Sequence, residues 1–98
     1  MSLPVVFRTA AQAEFDNATA WYESQRAGLG TSFATEVQKV LDTIANQPHG
    51  YPIASGDVRE APVSRFPDCV YYRIKPNRIV VIAVFHSSRD PAIWQSRP

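Results

Sequence analysis

The chain has 98 residues, of which 45% are hydrophobic, a length and composition that predict a single domain over residues 1–98. It has no apolar run long enough to span a bilayer and no secretory signal pattern, so we expect a cytoplasmic protein without membrane contacts. Its one cysteine, Cys69, excludes an internal disulfide, and two separated histidines give no ligand set for a metal, nor is a cofactor predicted.

The formal net charge of +1 is unevenly distributed between the two halves of the chain. Residues 1–50 carry three basic and five acidic side chains, whereas residues 51–98 carry seven basic and four acidic ones. Six of those seven bases are arginine, which suits contacts with carboxylate or phosphate. The second half is therefore the better receptor for an acidic partner, but the excess is too small to indicate tight sequence-independent binding of nucleic acid.

The N-terminal half predicts a short strand at residues 4–8 and then two helices. Residues 9–12 have the pattern of a capping box, and apolar residues at helical spacing predict a helix over about residues 10–25. Trp21 and Tyr22 are expected to pack within the helix pair. Gly28 and Gly30 end the first helix, and Thr31 or Ser32 is expected to cap the second, which ends near Pro48.

The C-terminal half predicts strands at residues 57–63, 70–74 and 79–85, followed by a helical turn that Asp90 and Pro91 begin. The unbroken apolar run of the last strand is typical of a central strand that is buried on both faces. The order β-α-α-β-β-β, with a short C-terminal turn, predicts an α+β fold in which a helix hairpin packs on a mostly antiparallel sheet.

The register between the last two strands decides which side chains share a face of the sheet. If Ile74 lies opposite Ile79, strict alternation places Tyr71, Arg73 and His86 on the face away from the helices, whereas a slip of one residue reverses this. The sequence favours the first register.

Several short motifs in the same order along most of the chain resemble the RelE/ParE superfamily of bacterial toxins, also called plasmid stabilisation proteins. They include the following segments: Ala20-Trp21-Tyr22-Glu23, Gly28-Leu29-Gly30, Tyr51-Pro52, Val70-Tyr71-Tyr72-Arg73-Ile74 and Val84-Phe85-His86-Ser87-Ser88-Arg89-Asp90-Pro91. The final segment is most similar to the ParE-like branch.

This resemblance implies the toxin of a type II toxin–antitoxin system, with a small cognate antitoxin as partner. ParE-like members inhibit DNA gyrase by binding it, which makes an enzymatic activity the less favoured expectation. RelE-like members cut mRNA on the ribosome without a metal. A third alternative is a toxin-like protein that binds antitoxin but has lost its activity, and a homodimer is a further alternative.

For the nuclease alternative, the candidate catalytic residues are His86, Arg73, Arg89 and Tyr71. Metal-free RNA cleavage needs a base, an acid and a cation for the phosphate, and a histidine near neutrality suits either proton transfer. For His86 the simpler interpretation is a histidine at a strand end that bonds a nearby backbone group. For Arg89 and Asp90 it is a local ion pair with a helix cap.

For the binding alternative, candidates for contact with the target or antitoxin are arginines of the second half and the C-terminal tryptophan. They are Arg59, Arg65, Arg73, Arg89, Trp94 and Arg97. Trp94 is equally compatible with a place at the edge of the core. The antitoxin is expected to use an acidic, partly helical segment that folds on binding and contacts residues 51–98.

Overall fold

The predicted helix hairpin and strands are both present in the computed structural model, which describes residues 2–98. The elements in chain order are β1 (Val5–Phe7), α1 (Thr9–Gln25), α2 (Leu29–Asn46), β2 (Ile53–Ser55), β3 (Val58–Pro62), β4 (Asp68–Ile74), β5 (Ile79–His86) and α3 (Ala92–Gln95). The strands form one sheet in the order β1-β5-β4-β3-β2, in which β1 is parallel to β5 and the other pairs are antiparallel. The predicted α+β fold is confirmed, and the sequence missed the short strand β2 and a 3₁₀ turn at Pro48–Gly50.

The main core lies between the helix hairpin and one face of the sheet. From α2, Phe33, Val37 and Ile44 are almost fully buried, and they pack with sheet residues such as Tyr72 and Val81. This is the predicted apolar stripe of the second helix, whose spacing places all three side chains on one helical face. The predicted central position of β5 is also confirmed, because β1 and β4 flank it.

The predicted N-caps of the two long helices are wrong. Helix α1 begins at Thr9, with Arg8 at the N-cap and no side-chain cap bond, so the residue 9–12 pattern does not form a capping box. Helix α2 begins at Leu29, before the predicted Thr31 or Ser32 cap, and Gly28 precedes it in a left-handed conformation at φ 86°. The carboxylate of Glu23 caps this helix instead, by accepting bonds from the backbone N–H groups of Gly28 and Gly30 at 2.9 and 3.0 Å.

The register of β4 against β5 confirms the prediction at one end and departs from it at the other. Ile74 pairs with Ile79 and Tyr72 with Val81, as predicted, but Tyr71 then pairs with Ala83. A β-bulge at Ile82 has therefore inserted one extra residue into β5, and the alternation of faces reverses beyond it.

The bulge corrects the predicted location of His86. Tyr71 belongs to the buried cluster on the sheet face away from the helices, as predicted. Val84, two residues before His86, packs in the core on the helix side, and His86 borders a groove beside α1. The prediction that Tyr71, Arg73 and His86 share the face away from the helices is wrong for His86.

The C-terminal segment covers part of the sheet face opposite the helices. Trp94 is 2% exposed, and its ring stacks on Tyr71 with the centroids 4.1 Å apart. The chain then reaches the edge of β5, where the Arg97 guanidinium contacts α1. Together these contacts cover a second buried apolar cluster, which includes Val80, Ile82 and Phe85.

Candidate functional site

A groove of about 510 Å³ runs between α1 and the end of β5, and we call it the α1–β5 groove. Strand β1 ends at Phe7, opposite Val81, so the β1-facing edge of β5 beyond Val81 has no neighbouring strand among residues 2–98. The groove lies beside this open edge. It is lined by Glu14, Asn17, Ala18, Trp21, Tyr22, Asp68, Val84, His86 and Arg89.

An ion pair at one end of the groove satisfies the backbone of the β5 edge. Glu14 and Arg97 form two hydrogen bonds, at 2.8 and 2.9 Å. Glu14 also accepts a bond from the Val84 N–H at 3.1 Å, while Arg97 donates to the Ile82 carbonyl at 3.0 Å. These two side chains therefore bond the backbone groups that a neighbouring strand would otherwise satisfy on the β1-facing edge of β5.

The floor of the groove contains a nearly buried carboxylate. Asp68, at the start of β4, is 4% exposed, and its Oδ1 accepts a bond of 2.5 Å from the Tyr22 hydroxyl. Burial and the adjacent carboxylate raise the pKa of Tyr22 far above its ordinary value, so the tyrosine remains a donor. Trp21 forms part of the wall and is 58% exposed.

The rim of the groove carries His86 and Arg89. The backbone N–H of Ser88 donates to His86 Nδ1 at 3.0 Å, and because a backbone N–H only donates, the neutral ring carries its proton on Nε2. The interpretation of His86 as a strand-end histidine bonded to nearby backbone is confirmed. The Arg89 guanidinium lies 4.3 Å from the centroid of the Phe85 ring, in a cation–π contact.

The sequence matches the family model of the ParE toxin of the type II toxin–antitoxin system parDE over residues 5–91. The chain belongs to the ParE toxin family. The fold is also similar to a solved structure described as the chromosomal ParDE TA system from P. aeruginosa, with a TM-score of 0.70. The two share 19% sequence identity over 87% of this chain and 96% of that chain, which supports the fold alone. No curated protein matches the sequence.

In this ParE-family toxin the four nuclease candidates have unequal access to solvent. The Arg73 guanidinium pairs with Asp57 and donates to the Arg97 carbonyl at 3.0 Å. Tyr71 is 6% exposed beneath Trp94. Burial first, and then the neighbouring Cys69 and Glu60, raise the pKa of Tyr71 well above its ordinary value.

A second, smaller pocket of about 260 Å³ is bordered by Tyr71, His86 and Arg89, on the other side of the β5 end. Three nuclease candidates thus meet there, but Arg73 does not. Glu60 also lines this pocket, and its carboxylate opposes the binding of a phosphate. Burial and Glu60 raise the pKa of Cys69 to about 11, which keeps the thiol protonated and unreactive.

Most of the predicted binding residues make internal contacts. Arg59 donates to the Tyr51 carbonyl at 2.6 Å, and Arg97 is held by Glu14. Trp94 is buried, so its alternative place at the edge of the core is confirmed. Arg65 and Arg89 remain exposed, although Arg65 also pairs with Glu36 at 3.1 Å.

The expected cap at Asp90 is confirmed, but the expected ion pair between Arg89 and Asp90 does not form among residues 2–98. Asp90 Oδ1 accepts a bond from the Ala92 N–H at 3.0 Å and so caps α3, whereas Arg89 lies over Phe85. The sequence missed Trp21, which was expected to pack within the hairpin but stands at the groove. It also gave no role to Asp68, whose partner Tyr22 is 46 residues away along the chain.

Within residues 2–98, no helix is long and apolar enough to cross a membrane.

Proposed function

We propose that this ParE-family toxin acts by binding DNA gyrase and that a cognate antitoxin neutralises it. The observation that carries the proposal is the state of the nuclease candidates. Arg73 is committed to an ion pair, Tyr71 is buried beneath Trp94, and a carboxylate borders the pocket that the remaining candidates share. The family match and this lack of an assembled acid–base–cation set both favour action by binding.

The exposed guanidinium of Arg89 is our candidate for the contact with gyrase. Arg89 stands on the loop after β5, and its stacking on Phe85 holds the charge at the surface at a reduced cost in side-chain entropy. Arginine is one of the residues enriched at interface hot spots. Arg78, exposed in the turn between β4 and β5, offers a matched control without such support.

The test uses purified toxin in a gyrase supercoiling assay and, in parallel, in a ribosome-dependent mRNA cleavage assay. We expect the toxin to stop supercoiling and to leave mRNA intact. Arg89→Ala is expected to weaken inhibition roughly tenfold or more, as for a hot-spot residue, while Arg78→Ala behaves as wild type.

Two results would overturn the proposal. Cleavage of mRNA that His86→Ala abolishes would establish the RelE-like alternative, which the convergence of Tyr71, His86 and Arg89 on the smaller pocket favours. Absence of any growth defect on expression without antitoxin, together with normal supercoiling, would establish an inactive, antitoxin-binding protein.

A further inference from the structure

Only one of the two oxygens of the Asp68 carboxylate has a hydrogen-bond donor among residues 2–98. Its Oδ1 accepts the hydrogen bond from Tyr22, but Oδ2 has no hydrogen-bond donor, and Asp68 has no salt bridge, among residues 2–98. The side chain is 96% buried by its own fold and lines the α1–β5 groove. The free Oδ2 is not fully enclosed and faces the groove, where a cationic partner would replace its remaining contact with water.

The other charged groups of the groove do not neutralise Asp68. Arg97 and the Val84 N–H occupy the carboxylate of Glu14. The Arg89 guanidinium lies on the Phe85 ring, and His86 accepts a hydrogen bond from the Ser88 backbone N–H through Nδ1. The floor of the groove therefore presents a carboxylate that has no ion-pair partner among residues 2–98.

The walls of the groove suit a long side chain that ends in a cation. Ala18, Trp21 and Val84 offer apolar surface along which the methylene stem of lysine or arginine can lie. The exposed Trp21 ring also favours a positive charge at its face. A carboxylate floor with an aromatic wall is thus complementary to an ammonium or guanidinium group.

We propose that Asp68 is the anchor for one basic side chain of the cognate antitoxin, inserted into the α1–β5 groove. This inference rests on the proposed antitoxin partnership. An antitoxin segment that folds on binding can place a single side chain at the floor of a narrow groove, whereas the surface of a large folded target reaches such a depth less readily. The antitoxin segment, although acidic overall, therefore carries at least one lysine or arginine in register with Asp68.

The experiment measures the Kd of full-length toxin for full-length antitoxin by calorimetry. Asp68→Asn keeps the shape and an acceptor for Tyr22 but removes the charge. We expect at least about a 30-fold weaker Kd, as for truncation of one partner of a buried charge pair. The matched control is Asp42→Asn, at an exposed position on α2, for which no change is expected.

A second set of variants identifies the partner residue. Each lysine and arginine of the antitoxin is replaced in turn by glutamine and titrated against wild-type toxin and against Asp68→Asn. One replacement is expected to weaken binding to wild-type toxin about as much as Asp68→Asn does, and to add little when both changes are combined. Because part of this scan uses wild-type toxin, it remains informative if Asp68→Asn does not fold.

The proposal is overturned if Asp68→Asn binds antitoxin as wild type does, or if no basic residue of the antitoxin weakens binding at least tenfold. Loss of gyrase inhibition by Asp68→Asn with unchanged antitoxin affinity would also overturn it, by assigning the groove to the target. Failure of wild-type toxin to inhibit gyrase would refute the proposed function while leaving these affinities interpretable, since the two measurements are independent.

Discussion

Replacing Glu14 by alanine removes an acceptor that two groups share at the open edge of β5. The Val84 N–H loses its acceptor, which costs about 1–3 kcal/mol for a donor shielded from water. Arg97 loses two charge-assisted bonds, but its side chain is 20% exposed and regains part of its hydration. Together these effects lower the free energy of unfolding by about 2–4 kcal/mol, or roughly 10–20 °C in Tm for a domain of this size.

The assay is chemical denaturation of Glu14→Ala, Arg97→Ala and the double variant, followed by circular dichroism. Because Val84 still has its acceptor in Arg97→Ala, this variant is expected to lose less stability than Glu14→Ala. The double variant is expected to lose less than the sum of the two single changes, since the pair is in direct contact. Asp16→Ala, at an exposed position on the same helix, serves as control and is expected to change stability by about 0.5 kcal/mol or less.

Two outcomes would refute this reasoning. If Glu14→Ala is no more destabilising than Asp16→Ala, the carboxylate does not satisfy the β5 edge. Additive effects of the Glu14 and Arg97 replacements would show that the two side chains do not act as one unit.

Three further predictions concern the helix hairpin and the C-terminal cover. Gly30→Ala places a Cβ 2.6 Å from the Thr19 carbonyl oxygen and is expected to cost about 1–3 kcal/mol, whereas Gly50→Ala, whose Cβ meets nothing closer than 3.8 Å, is expected to be near neutral by thermal melting. Burial disfavours the charge of Glu36, but Lys39 and Arg65 outweigh it and lower its pKa. The stabilising contribution of the Glu36 carboxylate is therefore fully present above the ordinary pKa of glutamate and is lost as the pH falls through the lowered pKa. The free energies of unfolding of wild type and Glu36→Gln, measured at decreasing pH, should therefore converge. A constant difference between them would contradict this. Trp94→Ala is expected to cost about 3–5 kcal/mol and to increase binding of a hydrophobic dye, which distinguishes exposure of the sheet face from a local change.

The two long helices and the order of the main strands along the chain were predictable because each of these elements has a pattern that is local in the sequence. The apolar positions of α2 recur at helical spacing over 18 residues, and the unbroken apolar run of β5 has the composition of a central strand. Short β2 has no such run, since it spans three residues and forms through pairing with β3. Sequence periodicity carries little information about an element of that length.

The cap of α2 was not predictable from neighbouring residues because it is supplied across a turn. Thr31 and Ser32 have the hydroxyl groups that commonly cap helices, yet the chain enters α2 earlier, at Leu29. Glu23, on the preceding helix, reaches the free N–H groups of Gly28 and Gly30. The tight approach of the two helices at Gly30 makes this arrangement possible.

The sequence indicated which end of β5 carries candidate residues, but it did not indicate all the residues that line the groove. His86 and Arg89 were expected at the end of β5, and they lie at the rim of the groove. The bulge at Ile82 leaves no mark in the sequence, because it exchanges one apolar residue for another within an apolar run. Asp68 gave no signal either, since its burial depends on a contact with Tyr22 from the first helix.

The bulge at Ile82 affects both the stability of the sheet edge and the location of the candidate site. By reversing the alternation of β5, it turns the strand end toward α1, where His86 and Asp68 line the groove, so that His86 meets Tyr71 only at the smaller pocket. The resulting edge requires Glu14 and Arg97 to satisfy its backbone. A regular β5 would keep the residues beyond Ala83 in the predicted alternation, with His86 on the face of Tyr71 and Arg73. The local insertion of one residue therefore directs His86 to the groove beside α1 instead of the face of Tyr71 and Arg73.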